Sequence, residues 1–492
     1  MSRKLVVLLR ENLELKGMSE EAIEQNLPGL LAQVTSKPPP SGPSRSGNER
    51  RPRPHDKDKP EKKPQTGHGP TPQPNLKTIT EVFDLDEADK VCPICANGLD
   101  GWEGADDESE VIGSIQRKWV IKKHIKKKYR CKNGCAVVTA DGPDSLIKAG
   151  RYEVGVAVDS AVAKYEDHIP LNRQVKMAAR EGIKLTTQTL WDQILALATR
   201  FAPLCEQIKY EVLKSSVIGV DLTGFSLIEK GGSRKKQVWQ LSSPTGIYFE
   251  MLNTKKAQDG KKLFVLPDDE KGPVYFSGIA MMDGAPELLA IANSLGFETA
   301  GCWSHARRTV LKAEKEAPGQ VDELIKLVGE LYEIEHKAAR APPEDDIRRG
   351  YRHLLDLEKL RVLRDTESRE VCGKIQEWVL EQECIPGGLL KSGLEYVGAR
   401  WTRLTRFLDN PMIPLDNNRT EASYIGLAMG RRNYLGARSE DGTKVAARFY
   451  TLLETARVCG VDGHAYLHYA AAAIVRGDTP LLPHEWSPSA PV

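Results

Sequence analysis

The spacing of apolar residues changes several times along the chain, and each change predicts a different kind of element. Residues 1–36 and 141–212 carry apolar positions at helical intervals, which predicts short helices in both segments. From Lys214 onward the period becomes that of strands. Three β-rich runs, separated by Gly-Gly and Pro-Thr-Gly turns, are expected to pair antiparallel, and a fourth ends at Asp283.

The rest of the pattern completes an α/β fold. A helical run and a short apolar strand follow Asp283, so helices and strands alternate in this part of the chain. Residues 313–405, rich in Glu, Lys, Arg and Leu, are predicted to be helical throughout, and helical spacing returns over residues 418–476. We therefore expect a core at residues 213–312, an all-helical insertion, and a second core part at residues 406–492.

Residues 37–76 differ in composition from the rest of the chain. Eleven of the 30 prolines fall between Lys37 and Asn75, where almost no residue is apolar. Such a segment cannot bury enough surface to fold, so we expect a disordered tether. Its excess of Lys and Arg over Asp and Glu leaves contact with a polyanion as the alternative.

Composition limits the classes of protein. The 492 residues carry a net charge of only +2, so nucleic-acid binding would have to rest on local basic patches. No apolar run approaches the roughly 20 residues that span a bilayer. The first residues lack the pattern of a signal peptide. We expect a cytoplasmic protein with no disulfide framework among its nine cysteines.

Residues 77–140 contain two cysteine pairs, one with Cys-x2-Cys spacing and one with Cys-x3-Cys spacing. The pairs are Cys92 with Cys95 and Cys131 with Cys135. Two short knuckles of this kind present four thiolates to a tetrahedral ion, which predicts a module built on one structural zinc. A site in which His124 replaces one thiolate, and four incidental thiols, are the alternatives.

A basic run lies between the two cysteine pairs. Residues 116–132 read "QRKWVIKKHIKKKYRCK", with nine Lys or Arg and no acid. Apolar and basic residues alternate, which predicts a strand with one apolar and one basic face. The basic face, with Lys122 and Lys126, would lie along a DNA phosphate backbone. The alternative is a solvated edge strand whose lysines prevent aggregation.

The segment "REGIKLTTQTLWDQI", residues 180–194, has the pattern of a helix, a Gly-containing turn, a Thr cap and a second helix. This order is typical of helix-turn-helix DNA-binding regions. We therefore predict that residues 141–212 bind DNA. An ordinary αα-hairpin has the same pattern and is the alternative.

Three carboxylates stand at positions where a charge is costly to bury without a partner or a metal. Asp221 lies inside the apolar run "VIGVDLTGF", and Asp283 closes the run "GIAMMDGAP". Glu421 begins a helix whose apolar residues are expected to pack on the sheet. Those residues are Ile425, Leu427 and Ala428. Three converging carboxylates would hold two divalent cations, Mg²⁺ or Mn²⁺, for phosphoryl transfer. Ordinary acids without a shared role are the alternative.

Four motifs of the chain form a recognisable set: "LDNNRTEASYIGLAMGRRNYLGARSEDGTKVAARFYTLLETARVCGVDGHAYL", "GCWSHARR", "AKYEDHIPLNRQ" and the Cys-x-x-Cys module. Together they closely resemble the insertion sequence 66 family of bacterial transposases. The resemblance covers roughly residues 85–480. It implies a ribonuclease-H-like core of the DDE type, interrupted by a helical insertion that matches residues 313–405. Carried over by position, the triad is Asp221, Asp283 and Glu421, with separations of 62 and 138 residues.

The residues that flank two of these acids depart from the family pattern. Family members commonly read A-D-(E/D)-T-P at the first acid, whereas Leu222-Thr223-Gly224 follow Asp221 here. An aromatic residue and a glycine usually follow the second acid, whereas Gly284-Ala285-Pro286 follow Asp283. A catalytically inactive, domesticated DNA-binding protein therefore stays open as an alternative function.

The same motifs supply candidate DNA ligands. Arg431, Arg432 and Asn433 are expected past the helix of Glu421, where they would hold DNA phosphates. In "CWSHARR", three residues are expected to follow the strand beside that of Asp283 and to approach the scissile phosphate. They are His305, Arg307 and Arg308. For Cys302 and Trp303 we expect packing, although Cys302-x-x-His305 would also make half of a metal site.

The resemblance implies a DNA transposase that binds terminal inverted repeats, cleaves a strand and uses the freed 3′-hydroxyl to attack target DNA. The implied cofactors are two Mg²⁺ or Mn²⁺ ions per active site, beside one structural Zn²⁺. The expected partners are double-stranded DNA, a second copy of the chain or a higher assembly, and accessory proteins of the same element, at the bacterial nucleoid. A ribonuclease-H-like nuclease that cuts without joining is the second alternative.

Overall fold

The computed structural model describes residues 119–130, 137–148, 150–267, 272–340, 354–383, 385 and 387–488. Every described residue belongs to one compact unit, Gly113–Val492. The predicted N-terminal helices, the proline-rich tether and the four cysteines of the zinc module lie outside the described residues. Those cysteines are Cys92, Cys95, Cys131 and Cys135.

The basic run forms less strand than its alternation predicts. Among the described residues of this run, only β1 (Lys128–Arg130) is a strand, and it pairs antiparallel with β2 (Val137–Thr139). Residues 119–127 have no regular secondary structure, and Ile121 is 95% exposed. The prediction of a long strand was wrong because a ladder reaches only as far as its partner, and β2 has three residues.

Four helices follow, and they carry the helix-turn-helix pattern. They are α1 (Val154–Tyr165), α2 (Leu171–Arg180), α3 (Thr187–Arg200) and α4 (Ala202–Leu213). Gly182, with φ of +86°, makes the turn between α2 and α3. The Thr186 hydroxyl caps α3 by accepting a hydrogen bond from the Thr189 amide at 3.0 Å. Gly182 and Thr186 therefore form the turn and the cap that the sequence predicts.

A five-stranded mixed sheet lies at the centre of this unit. Its strands are β3 (Val217–Glu229), β4 (Gly232–Ser243), β5 (Gly246–Leu252), β6 (Ile279–Met282) and β7 (Glu298–Gly301). The order across the sheet is β5-β4-β3-β6-β7. The first three strands pair antiparallel, as their turns predict, whereas β6 and β7 run parallel to β3. A parallel pair needs a crossover, and α6 (Pro286–Leu295) supplies it between β6 and β7.

Short helical segments connect these strands. Between β5 and β6 lie α5 (Ala257–Gly260) and a 3-10 turn (Lys261–Phe264). After β7 the chain enters α7 (Trp303–Val310) and a second 3-10 turn (Leu311–Ala313). Gly296, with φ of +81°, ends α6 in the left-handed conformation that glycine adopts without a Cβ clash.

The insertion is mainly helical. It contains α8 (Pro318–Lys337), α9 (Leu357–Leu363), a π-helical turn (Arg364–Ser368), α10 (Arg369–Glu381), α11 (Leu389–Ala399), α12 (Trp401–Thr405) and a 3-10 turn (Arg406–Leu408). Within the described part of the insertion, the prediction of helix throughout was wrong where β8 (Ala339–Arg340) pairs antiparallel with β9 (Leu354–Leu355). The buried Arg364 guanidinium donates two hydrogen bonds of 2.7 Å to the Glu335 carboxylate and holds α8 against the π-helical turn.

The last part of the chain returns to the sheet. Its helices are α13 (Asn418–Ala422), α14 (Tyr424–Tyr434), α15 (Glu440–Val458) and α16 (Gly463–Arg476). Leu427 packs in the core as predicted, but Ile425 is 64% exposed. The prediction for Ile425 was wrong because a break at Ser423 starts a new helix, which turns Tyr424 rather than Ile425 inward.

Two hydrophobic clusters hold these elements together. One joins α1, α3, α4, α15 and α16 to the three antiparallel strands. The other joins β7, α7 and the helices of the insertion. Along the edge strand β5, the amides of Ile247 and Phe249 donate to the hydroxyls of Thr455 and Thr451 on α15, each at 3.0 Å. These bonds satisfy an edge that would otherwise stay open for pairing. No helix of the described residues is long and apolar enough to cross a membrane.

Candidate active site

The register of two parallel strands brings Asp221 and Asp283 side by side. Val217 of β3 lies opposite Ile279 of β6, an offset of 62 residues that continues to Gly219 and Met281. The same offset separates Asp221 from Asp283, which directly follows β6. By this offset Asp283, at the carboxyl end of β6, is the counterpart of Asp221 on β3, and neighbouring strands lie about 4.8 Å apart.

Asp283 is held by its own loop and by the insertion. Its Oδ1 accepts a hydrogen bond from the Ala285 amide at 2.8 Å, at the start of α6. Its backbone carbonyl accepts one from the Tyr396 hydroxyl of α11 at 3.0 Å. The guanidinium of Arg400 stacks on the Tyr396 ring, 3.8 Å from its centroid. A Cβ on Gly284 would lie 3.1 Å from the Arg400 Nε, so this cation lies against the residue that follows the acid.

Helix α13 docks on the face of the sheet that bears Asp221. Gln240 of β4 lies directly opposite Asp221, so both side chains project from the same face. The Gln240 side-chain amide donates to the Thr420 carbonyl at 3.0 Å and to the Ser423 hydroxyl at 2.5 Å, on either side of Glu421. The fully buried Gln240 thereby fixes the helix that carries the third carboxylate.

A glycine allows this close approach. Gly219 lies two residues before Asp221 and therefore on the same face. A Cβ at this position would lie 2.0 Å from the Thr420 Oγ1 and 2.5 Å from the Ser242 Oγ. The hydroxyls of Ser242 and Thr420 are themselves hydrogen bonded at 2.9 Å. Only a residue without a side chain leaves room for the helix here.

The turn before α13 is built by Asp416 and Asn417. The Asp416 Oδ1 accepts a hydrogen bond from the Asn418 amide at 3.0 Å, and its Oδ2 accepts one from the Tyr332 hydroxyl of α8 at 2.7 Å. The buried Asn417 side chain donates to the Val220 carbonyl at 3.1 Å. Asp416 and Asn417 thus anchor α13 to the insertion and to β3, although Asn417 makes no side-chain cap hydrogen bond.

Glu421 faces the first turn of α7. Its Oε1 lies 3.5 Å from the His305 Nδ1, and its Oε2 lies 3.8 Å from the Arg308 guanidinium. The Oε1 atom is buried and accepts no hydrogen bond from the described residues. A buried carboxylate oxygen without a donor is costly, so this atom is available to a ligand or a cation.

Cys302 completes a small cluster around His305. The His305 Nδ1 lies 3.2 Å from the Cys302 Sγ, and ligand atoms of Cys302, His305 and Glu421 lie within 4.8 Å of one another. Glu421 thus lies where a third ligand would complete the half-site of Cys302 and His305, and the spacing of those two residues alone does not identify it. Burial raises the pKa of the Cys302 thiol to about 11, which keeps it neutral at neutral pH. Trp303 is buried, and its indole donates to the Leu404 carbonyl at 2.8 Å.

The acids act on one another electrostatically. Burial and, to a smaller extent, the negative charges of Asp283 and Glu421 together raise the pKa of Asp221 to about 7, against a stabilising hydrogen bond from the Leu222 amide. Burial and like charges destabilise the ionised form of an acid, and a nearby cation stabilises it. The three carboxylates therefore belong to one electrostatic site.

The candidate DNA ligands fall into separate environments. Arg431, Arg432 and Asn433 lie in the last turn of α14 rather than past a helix. The Arg431 guanidinium donates to the Gly224 carbonyl of β3, whereas Arg432 and Asn433 are exposed. Arg307 and Arg308 are exposed on α7. Lys122 and Lys126 are exposed in the basic run, where Lys122 also pairs with Glu153 at 2.8 Å.

A polar pocket borders Arg431. It has a volume of about 480 Å³ and is lined by the outer half of β3, by β4 and by Arg431. The lining residues are Thr223, Gly224, Phe225, Ser226, Ser233, Lys235 and Arg431. The arginine and the lysine give this pocket a positive character, which suits an anionic group.

The sequence pattern did not identify the residues that position the acids. Gln240, Tyr396 and Arg400 come from a strand and from the insertion, far along the chain from the acids that they support. No local motif marks them, because each acts through a contact that exists only in the folded chain. The one local signal at Gln240 is that it interrupts the apolar residues Val238, Trp239 and Leu241 of β4.

The fold and the site define an α/β protein with a carboxylate-lined centre and a basic rim. A protein-family model described as "Transposase IS66 family" matches residues 149–445, and the chain belongs to this family. This confirms the resemblance that the sequence motifs indicate.

Three uncharacterized proteins of Sinorhizobium fredii are similar to the chain over most of their length. Protein y4jD is 24% identical, over 82% of this chain and 79% of its own. Protein y4hP is 23% identical, over 80% of this chain and 73% of its own. Protein y4qI is 25% identical, over 85% of this chain and 76% of its own. The similarity extends beyond the region that the family model covers.

Proposed function

We propose that this protein is a DNA transposase that cleaves strands at the ends of an insertion sequence and joins them to target DNA. One observation carries the proposal. Asp221 on β3 and Asp283 at the end of the adjacent parallel strand β6 share the register offset of those strands, and α13 presents Glu421 to the same electrostatic site. Metal-dependent phosphoryl transfer needs carboxylates that hold the metal ions, and here three of them come together from distant parts of the chain.

The strand arrangement supports a ribonuclease-H-like core of the DDE type. Three antiparallel strands come first, the longest of them lies at the centre of the sheet, and two parallel strands extend the other side. The first acid lies within the central strand and the second follows its parallel neighbour. The insertion separates these two acids from Glu421, as the family resemblance implies.

The carboxylates fit a hard divalent cation. The Glu421 Oε1 is buried without a hydrogen bond from the described residues, and Asp221 lies in a field of like charges. Asp221, Asp283 and Glu421 would hold Mg²⁺ or Mn²⁺, two ions per site, because these ions prefer oxygen ligands. When bound, the ions would lower the pKa of an attacking oxygen and stabilise the charge on the leaving oxygen.

The residues around the acids support this proposal because they hold the acids in place. Gln240 and Asn417 fix α13 on the sheet, and Tyr396 fixes the loop of Asp283. His305 and Arg308 lie at the Glu421 carboxylate and would orient it and contact the scissile phosphate. The same arrangement would serve a water molecule in strand cleavage and a 3′-hydroxyl in strand transfer.

DNA contact would come from several basic groups outside the acidic centre. Arg307 and Arg308 on α7 and Arg432 on α14 are exposed, and the pocket at Arg431 and Lys235 would take a phosphate. The α2–α3 pair, the basic run with Lys122 and Lys126, and a zinc module on the four cysteines would recognise the terminal repeats. Bridging two ends would require a dimer or a higher assembly, together with accessory proteins of the element.

A strand-transfer assay tests this function. Purified protein, Mg²⁺ and a labelled duplex that carries one end of the element are incubated with a supercoiled plasmid. A transposase releases the end and joins its 3′-hydroxyl to the plasmid. Cleavage without joined product would identify a nuclease, and tight binding without cleavage would identify an inactive DNA-binding protein. Either result, in the presence of the accessory proteins of the element, would overturn the proposal.

A further inference from the structure

A second cluster of metal-ligating side chains lies on helices that the proposed reaction does not use. Asp159 of α1 faces His464 and His468 of α16. The Asp159 Oδ1 lies 2.8 Å from the His464 Nε2 and 3.1 Å from the His468 Nε2. The two imidazole nitrogens lie 3.2 Å apart. Three potential ligand atoms therefore form a nearly equilateral triangle.

These separations match a small transition-metal ion. Zinc bonds of about 2.0–2.2 Å to nitrogen and oxygen, arranged tetrahedrally, hold ligand atoms about 3.3 Å apart. The triangle would have to open by only a few tenths of an ångström to accept an ion above its plane. Two imidazoles and one carboxylate are also the ligand types that borderline cations such as Zn²⁺ select over Mg²⁺.

The helix geometry explains why the ligands converge. His464 and His468 are four residues apart, so they project from the same side of α16, one turn above the other. A Cβ on Gly155 of α1 would lie 3.2 Å from the His468 Cε1, so a glycine here leaves room for the ring. The packing of α16 against α1 is thus shaped around the imidazoles.

The cluster is partly shielded and lies in a negative environment. The side chain of Asp159 is 23% exposed, and those of His464 and His468 are 46% and 38% exposed. The carboxylate of Glu166 interacts with His464, and its oxygens would lie 3.4 and 3.5 Å from a Cβ on Gly463. The negative charge of Glu166, which interacts with His464, favours a cation at the cluster, and the exposed side of the triangle leaves space for water as a fourth ligand.

We propose that Asp159, His464 and His468 form a Zn²⁺ site that fastens helix α16 to helix α1. The ion replaces the protons that otherwise link the three side chains, and it joins two helices that are more than 300 residues apart in the chain. Since α1 precedes the α2–α3 pair, the site stiffens the base of the region that we propose to bind DNA. The site itself does not depend on the proposed catalytic reaction.

The test compares zinc content and local protection in the full-length protein. Wild type, His468→Gln, Asp159→Asn and the control His484→Ala are dialysed against micromolar zinc and analysed by mass spectrometry of bound metal. His484 is an exposed histidine of the C-terminal segment that does not belong to the cluster. Zinc on the cysteines contributes equally to all four proteins, so the difference between them isolates the new site.

The wild type and His484→Ala are expected to bind one more equivalent of zinc per chain than either cluster variant. Amide hydrogen exchange locates the ion, because zinc should slow exchange in α16 and α1 of the wild type and leave both cluster variants unchanged. Circular dichroism verifies that each variant is folded. If His468→Gln does not fold, the conservative variant Asp159→Asn still tests the proposal. Equal zinc content in all folded proteins, or no change of exchange in α16, overturns the proposal.

Discussion

The Tyr396 hydroxyl donates a hydrogen bond of 3.0 Å to the backbone carbonyl of Asp283 and thereby ties the insertion to the core sheet. Tyr396 lies on α11, and Asp283 directly follows β6, more than a hundred residues earlier. The same tyrosine ring supports the guanidinium of Arg400. The insertion is therefore not a separate lobe but contributes the environment of one acid.

Removing this hydrogen bond should weaken catalysis without weakening DNA binding. Tyr396→Phe keeps the ring under Arg400 and deletes only the hydroxyl. A net hydrogen-bond contribution of about 0.5–1.5 kcal/mol corresponds to a cleavage rate roughly 2- to 12-fold lower. Single-turnover cleavage and a DNA-binding titration measure the two effects. Tyr275→Phe, at an exposed tyrosine, is the control and should leave both unchanged. An unaltered rate in Tyr396→Phe would show that Asp283 is positioned without the insertion.

Gly219→Ala should displace the helix that carries Glu421. The added methyl group would lie 2.0 Å from the Thr420 Oγ1, so α13 or β3 must move. Overpacking of this kind costs about 1–3 kcal/mol of folding free energy. Urea unfolding measures that loss, and cleavage should fall at least tenfold in protein that is still folded. Gly232→Ala is the matched control, because no atom lies within 4 Å of a Cβ there. Equal stability of the two variants would contradict the close approach of α13.

Neighbouring arginines on α14 should have different effects. Arg432 is exposed, so Arg432→Ala should weaken DNA binding and lower the slope of log affinity against log salt by about 1. Arg431 donates to the Gly224 carbonyl, so Arg431→Ala should also lower the free energy of unfolding, by about 1–3 kcal/mol. Binding titrations at several salt concentrations and urea unfolding separate the two residues. Identical behaviour of the two variants would rule out this division of roles.

Glu454 should give the stability a pH dependence. Burial raises its pKa to about 6 from an ordinary value of 4.5, and the Arg457 guanidinium, 2.7 Å away, opposes the rise. Because the folded-state pKa is the higher one, the folded protein binds the proton more tightly, and stability falls as pH rises from about 4.5 to about 6. The fall amounts to about 1–2 kcal/mol.

Glu454→Gln removes the titrating group and should remove this fall. Urea unfolding of both proteins at pH 4.5 and pH 7 measures it as the change in their stability difference. The wild type should lose stability relative to the variant over this interval. A stability difference that is constant with pH, or that changes in the opposite direction, would show that Glu454 does not titrate in this range.

Much of the central sheet and its flanking helices can be predicted from the sequence because the signals are local. Alternating apolar residues and glycine turns predict β3, β4 and β5, and the Thr186 cap and the Gly182 turn predict the α2–α3 pair. The exposed Ile425 was mispredicted because a helical period says nothing of the break at Ser423. The basic run was mispredicted because strand length depends on a partner elsewhere in the chain.

The candidate site also has residues that the sequence predicts and residues that it does not. Asp221 and Asp283 are conspicuous in the sequence because each interrupts or ends an apolar run. Their proximity follows from the β3–β6 register, which no pattern within either run specifies. The roles of Gln240 and Tyr396 were not predicted, because glutamines in strands and tyrosines in helices are common and most of them support no acid. Only the contacts in the folded chain distinguish these two. Three-dimensional contacts, not composition, give them their roles.

The most direct test of the central claim is cleavage of a labelled duplex bearing the element end, with Mg²⁺ and the accessory proteins. The wild type is compared with Asp221→Asn, Asp283→Asn and Glu421→Gln, and with Glu298→Gln, an exposed acid at the start of β7, as the control. Each of the three variants should bind the duplex normally and cleave at least a hundredfold more slowly, whereas the control should cleave like the wild type. Wild-type cleavage by any of the three would contradict the assignment of that acid to the site.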